Sequence, residues 1–248
     1  MPDSADNRPV FFFDIDNCEF VILKLVLPTR KLTKSTGTRI QNIMAELIDK
    51  YFQTHLSLPA HEATALHMKY YQSYGLAIEG LVRHHEVDAL DFNSKVDDAI
   101  PLENILSSNP SLQAFLASFD KTKVKLWLLT NAHVTHGKRV VRLLGVEDFF
   151  EGITYCDYAE AETKGRLLAK PERGMWEKAM REAGVEKVDD CYFVDDSYIN
   201  AKGATQMGWK AIHFVEKELD LPEPPASQYR IRELEEIRNL FPQFFKDA

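Results

Sequence analysis

Apolar residues gather along the chain in five short runs: VFFFD (10–14), VKLWLLT (124–130), ITYCD (153–157), CYFVDD (191–196) and KAIHFV (210–215). Their length and their content of β-branched and aromatic residues predict strands. Between the last four lie helical patterns, HGKRVVRLLG (136–145), MWEKAMREAG (175–184) and INAKGATQMG (199–208). The first sets Val140, Val141, Leu143 and Leu144 on an apolar face, and the three stop at Gly145, Gly184 and Gly208, residues suited to a helix C-terminus. Strands that are apolar throughout are buried on both faces. The pattern therefore predicts an α/β fold, with a mostly parallel sheet and helices on both sides.

Residues 37–120 break the rhythm. From TRIQNIMAELIDKYFQTHL through HEATALHMKYYQSYGLAIEGLVRHH the apolar positions recur at helical spacing, and no strand is predicted. A helical block between the first and second strands reads as an inserted cap over the carboxyl edge of the sheet. The tail, YRIRELEEIRNLFPQFF, follows the Pro-rich LPEPPAS. With Ser227 as N-cap and Ile231, Leu234, Ile237 and Leu240 as a stripe, it predicts a final docked helix.

Composition narrows the class. The 248 residues are 45% hydrophobic and 27% charged, with a formal net charge of −8, as in an ordinary globular protein. The acidic balance argues against nonspecific binding to nucleic acid or to an anionic membrane. Three cysteines without a CxxC spacing suit a reducing compartment. The N-terminus has no apolar signal core, and FVILKLVL (20–27) is too short to span a bilayer. The expected location is cytoplasmic, or nuclear as well.

The chemistry is read from strand ends. In an open parallel sheet, ligands bind beyond the carboxyl ends of the strands. Asp14 ends the first run, Thr130 and Asn131 the second, Asp195 and Asp196 the fourth, and Lys170 precedes a helix in AKPERGMW. Asp14 and Asp16 share a side of an extended segment. One can attack phosphorus while the other protonates the leaving oxygen. Asp196, with Asp195 beside it, can complete an all-oxygen Mg²⁺ site, and Thr130, Asn131 and Lys170 can hold phosphoryl oxygens. Singly, each has a plainer explanation: a surface Asp-x-Asp, a turn, a solvated lysine, a helix N-cap. Together and in this order they point to phosphoryl transfer.

These motifs resemble a known family. FFFDIDN, LLTNA, AKP and YFVDDS match in order the four signatures of the haloacid dehalogenase-like hydrolase superfamily. YYQSYGLAIEGLVRHH and KVDDAIPLENI extend the likeness to its fungal pyrimidine 5′-nucleotidase branch. The resemblance implies a Rossmann-like core (1–18 and 121–248), a helical cap (37–120) and a Mg²⁺ cofactor. It implies a small phosphomonoester substrate such as UMP or CMP, which accords with the expectation from composition of no nucleic-acid polymer or membrane as partner. Asp14 is then the nucleophile and Asp16 the general acid/base. Thr130, Asn131 and Lys170 bind phosphate, and the metal ligands are Asp14, Asp16, Asp196 and, through water, Asp195.

Residues 19–36 depart from that pattern, inserting EFVILKLVLPTRKLT where relatives have a short flap. The segment reads as a lid extension or as an intron-derived stretch, and by blocking the site it leaves open a catalytically silent relative. The four motifs do not separate a nucleotidase from a broader phosphatase (nicotinamide mononucleotide, lysophospholipid or sugar phosphates), since the cap makes that choice. Among lesser features, Tyr70, Tyr71 and Tyr74 pattern as core packing of a helical face. Tyr74 and Gly75 are the candidates for contacting a nucleobase. His84 and His85 are adjacent and so diverge by about 100° on a helix, against joint metal binding. Asp97 and Asp98 are expected as solvated hinge charges.

Overall fold

The computed structural model describes residues 6–15, 35–217 and 219–247. β1 (Val10–Phe13), β2 (Lys125–Leu129), β3 (Gly152–Thr154), β4 (Cys191–Asp195), β5 (Lys210–Phe214) and β6 (Tyr229–Ile231) form one sheet in the order β3-β2-β1-β4-β5-β6. Every neighbouring pair is parallel, the Rossmann-like arrangement expected. β1 sits in the middle and is buried along its whole length.

Alternation along β1 serves two layers. Phe11 and Phe13 join Phe115, Phe119, Leu126 and Leu128 on one face, while Val10 and Phe12 join Trp176, Phe193 and Trp209 on the other. Phe12 stacks on Trp209 with ring centroids 4.7 Å apart, and Phe11 meets Phe119 edge-on at 5.7 Å. Each such ring stabilises the fold by about 1.5–3 kcal/mol, which fixes the central strand and hence the position of its last residues.

Four helices follow β1: α1 (Ser35–Leu56), α2 (Ala60–Tyr74), α3 (Ala77–His84) and α4 (Ala89–Lys95). α5 (Pro110–Ala117) then packs on the sheet layer. Asn109 caps it by accepting the N–H groups of Ser111 and Leu112, and Phe115 meets Phe119 at 5.4 Å. α6 (Val134–Leu144), α7 (Arg173–Ala183) and α8 (Tyr198–Gln206) occupy the predicted intervals between strands. Gly145 and Gly184 close α6 and α7 at φ of 69° and 67°, a conformation that a side chain disfavours.

The tail differs from expectation. Tyr229–Ile231 is a sixth strand, followed by short helical turns rather than one helix. Tyr229 pairs with Ile212 and Ile231 with Phe214, and Val215 donates to the Ile231 carbonyl at 2.9 Å. An open sheet edge offers these backbone groups partners at once, which outweighs a weak local helical pattern. Ser227 is no helix cap: its hydroxyl donates to the Ala211 carbonyl and accepts the Tyr229 N–H, launching the strand. The predicted stripe is still used, since Ile231, Leu234 and Ile237 are buried.

Asp97 also departs from expectation, being buried rather than solvated. Asp98 accepts from the Asn93 amide at 2.8 Å. No helix of the described residues is long and apolar enough to cross a membrane.

Candidate active site

The strand ladder delivers the first acid. Phe13 pairs with both Leu128 and Val194, and Asp14 continues the ladder by donating its N–H to the Val194 carbonyl at 3.1 Å. Asp14, Thr130 and Asp195 therefore leave the sheet at one edge, all buried.

Lys170 arrives from the loop before α7 and is fully buried. Its Nζ donates to Asp14 Oδ1 at 2.5 Å, to Asp195 Oδ2 at 3.0 Å and to the Leu129 carbonyl at 3.0 Å, three acceptors for three N–H bonds. A buried ammonium persists only with such pairing. Asn131 braces this loop. Its Nδ2 donates to the Lys170 carbonyl at 3.0 Å and its Oδ1 accepts the Lys170 N–H at 2.7 Å. Expected among the phosphate-binding groups, Asn131 holds the lysine's backbone. Thr130 Oγ1 accepts the Ala132 N–H at 3.1 Å, shaping the turn after β2.

Asp195 and Asp196 differ in their commitments. Asp195 accepts the Ser197 N–H at 2.7 Å and the Asn200 amide at 3.1 Å as well as Lys170. Asp196 is half-buried, and its main-chain carbonyl lies 3.0 Å from His213 Nε2. Burial pushes the His213 pKa down, favouring the neutral ring, whose protonated Nε2 can donate to that carbonyl.

Asp14, Asp195 and Asp196 each bring a carboxylate oxygen within 4.8 Å of the others. The donor set is all oxygen, and the Lys170 ammonium pairs with two of its three carboxylates, Asp14 and Asp195. That chemistry fits a hard dication. Asp14, Asp195 and Asp196 are the described carboxylates that could hold such an ion.

A cavity of about 400 Å³ opens here, lined by Asp14, Asn131, Asp195 and Asp196 and, opposite, by Tyr71, Gln72 and Gly75. Gly75 ends α2 at φ 76°, and a Cβ there would stand 3.4 Å from Ile199 Cδ1. Tyr74, expected beside it, does not line the cavity. Its hydroxyl is 2.6 Å from His84 Nε2 and Arg83 lies over its ring. Tyr70 is buried and its hydroxyl is 2.8 Å from His85 Nε2. Tyr70 and Tyr74 thus share the inner face of α2, leaving Tyr71, 48% exposed, to face the cavity. Tyr71 also borders a second, apolar cavity of about 290 Å³ between the helices. The two histidines pair with different tyrosines. Asp16 and residues 19–34 of the expected flap lie outside the described residues.

Sequence reasoning missed Asn200, His213 and Glu79. Glu79 is a buried carboxylate of α3 that accepts the Leu167 N–H at 2.6 Å. Its only sequence signal is the spacing to Arg83, which on a helix normally marks a solvated ion pair.

A family model for haloacid dehalogenase-like hydrolases matches residues 10–208. The chain belongs to that family. Phosphate metabolism protein 8 of Saccharomyces cerevisiae is 34% identical over 222 residues, which cover 87% of this chain and 64% of the yeast protein. The match thus spans less than two thirds of that relative. Among solved structures, a phosphatase of the family from Thermococcus onnurineus aligns with a TM-score of 0.57 at 16% identity, over 94% of this chain and 97% of the other. The family hydrolase YfnB from Bacillus subtilis, solved with magnesium bound, aligns with a TM-score of 0.51 at 16% identity, over 95% and 99%. At these identities the likeness is one of fold.

Proposed function

We propose that the chain is a Mg²⁺-dependent phosphomonoesterase that hydrolyses pyrimidine nucleoside 5′-monophosphates such as UMP and CMP. The observation that carries the chemistry is the buried Lys170 ammonium held between Asp14 and Asp195 at the carboxyl edge of the sheet. Lys170 pairs with the Asp14 carboxylate and aims it, which a nucleophile requires.

An Asp14 oxygen attacks phosphorus, the bond to the leaving oxygen breaks, and Asp16 gives that oxygen a proton. Water then attacks phosphorus, passes a proton back to Asp16, and releases phosphate by breaking the Asp14–phosphorus bond. Asp14, Asp196 and the Asp16 carbonyl would hold Mg²⁺, which when bound offsets charge between the carboxylates and the phosphoryl oxygens. Thr130 supports the phosphate pocket from the turn after β2, and Asn131 does so through the Lys170 backbone.

The helices of residues 37–120 act as a cap over a core made of 1–18 and 121–248, with 19–36 as the flap between them. Tyr71, Gln72 and Gly75 form the cap wall of the cavity, and Tyr71 supplies an aromatic face of the kind on which bases stack. The substrate is a small molecule, and the expected setting is the cytoplasm.

Phosphate release by the full-length chain with Mg²⁺ tests this on UMP, CMP, AMP, nicotinamide mononucleotide and an aryl phosphate, with Asp14→Asn as control. Preference for UMP and CMP, lost in the control, is the expected result. Comparable turnover of all substrates would replace it with a broad-specificity phosphatase. Silence on all of them would mark a binding relative.

A further inference from the structure

Glu79 carries a charge-bearing group into the interior of the helical block, where only 3% of the residue is exposed. Burial raises its pKa, and such a group is kept by what it bonds. Its two oxygens face two ways. Oε2 accepts the Leu167 N–H at 2.6 Å, and Oε1 accepts Nε of Arg83. The Arg83 guanidinium also lies 3.7 Å from Glu172. Leu167 and Glu172 stand on either side of Lys170.

The Lys170 loop is thus gripped from two directions. The sheet edge holds it through Asn131 and the Lys170 backbone, and the helical block holds it through Glu79 and Arg83. Ordinary i,i+4 ion pairs on helices contribute only a few tenths of a kcal/mol because they are solvated. This one is closed over at Glu79 and reaches a backbone N–H that would otherwise be buried without a partner.

We infer that Glu79 and Arg83 are positioning residues for Lys170. By fixing residues 167–172 from the helical side, they set where the Lys170 ammonium meets Asp14 and Asp195. Helix α3 and Lys170 thereby move as one body. The kinetic consequence rests on the phosphomonoesterase reading, whereas the structural consequence does not.

The test uses the full-length protein. Glu79→Gln keeps an oxygen for the Leu167 N–H, and Glu79→Ala removes it. Amide hydrogen exchange reads the loop without any turnover. In Glu79→Ala, exchange across 166–172 should rise about tenfold or more while β1 and β4 stay as in the wild type. Glu79→Gln should stay within about threefold of the wild type. With an aryl phosphate, Glu79→Ala should lower kcat about tenfold with KM changed less than about twofold, and Glu79→Gln should recover most of it.

Unchanged exchange at 166–172 in Glu79→Ala overturns the inference, as does a loss spread evenly over the sheet, or a Glu79→Gln variant as loose as Glu79→Ala. If Glu79→Ala does not fold, Arg83→Met removes the outer half of the grip. It should loosen 170–172 selectively, and unchanged exchange there overturns the inference equally. An inactive wild type would sink the proposed function alone, and the exchange result would still decide this one.

Discussion

The two walls of the cavity are built in opposite ways. On the sheet side, Asp14, Lys170 and Asp195 are buried and joined by hydrogen bonds, with the two acids fixed by strands whose side chains fill both layers of the core. On the helical side, Tyr71 is 48% exposed and Gln72 and Gly75 sit at a helix end. A buried charge cluster tolerates little movement, because each group removed strands another. A half-exposed aromatic face can be exchanged at small cost to the fold. Under the proposed function, reaction chemistry belongs to the sheet edge and choice of leaving group to the helices.

Breaking the rigid wall should have the largest effect. Lys170→Met leaves Asp14 and Asp195 buried against each other, so unfolding free energy should fall by about 3–5 kcal/mol and turnover should drop to background. Denaturant unfolding and phosphate release read both. Adding Asp195→Asn should restore part of the stability and none of the activity. A Lys170→Met protein as stable as the wild type would refute the sheet-edge half of the comparison.

Asp196 lies at the boundary between rigid and open. Asp196→Asn should change stability by no more than about 0.5 kcal/mol while raising the half-saturating Mg²⁺ concentration by about tenfold or more. A Mg²⁺ titration of activity, beside a melting curve, separates the two.

On the open wall, Tyr71→Ala should raise KM for UMP by about tenfold, as expected for losing a base-stacking face. Turnover of a small aryl phosphate should hardly change. An equal loss on both substrates would move Tyr71 from selection to folding.

The smallest effect is one of pH. Burial and the neighbouring His84 lower the His85 pKa, so its neutral form is favoured in the folded state. That contribution is present above the unfolded value of about 6.5 and is lost as pH falls through the lower folded value. Below about pH 6.5 the wild type should therefore lose melting temperature more steeply than His85→Gln. Equal slopes would show that the burial of His85 carries no linkage.

The same contrast explains what could be read from the sequence. Asp14, Thr130, Asn131, Lys170, Asp195 and Asp196 sit at strand ends or before a helix, where sequence order alone assigns an edge. Glu79 gains its setting from Leu167, far along the chain, and no local pattern carries that. Tyr71 and Tyr74 look alike in sequence, but helical geometry turns one to the cavity and the other to His84. The tail, predicted as a helix, misleads for a different reason. Ile231, Leu234 and Ile237 fit a helical stripe, but the choice between helix and strand belonged to the open edge of β5.

The central claim is that Asp14 carries the phosphoryl group. Rapid acid quenching during UMP turnover, followed by mass spectrometry of the digested chain, tests it most directly. The account predicts one added phosphoryl group on the peptide containing Asp14, absent from Lys170→Met and Asp14→Asn. Phosphate release at full rate in Asp14→Asn, or the phosphoryl group on another residue, would contradict it.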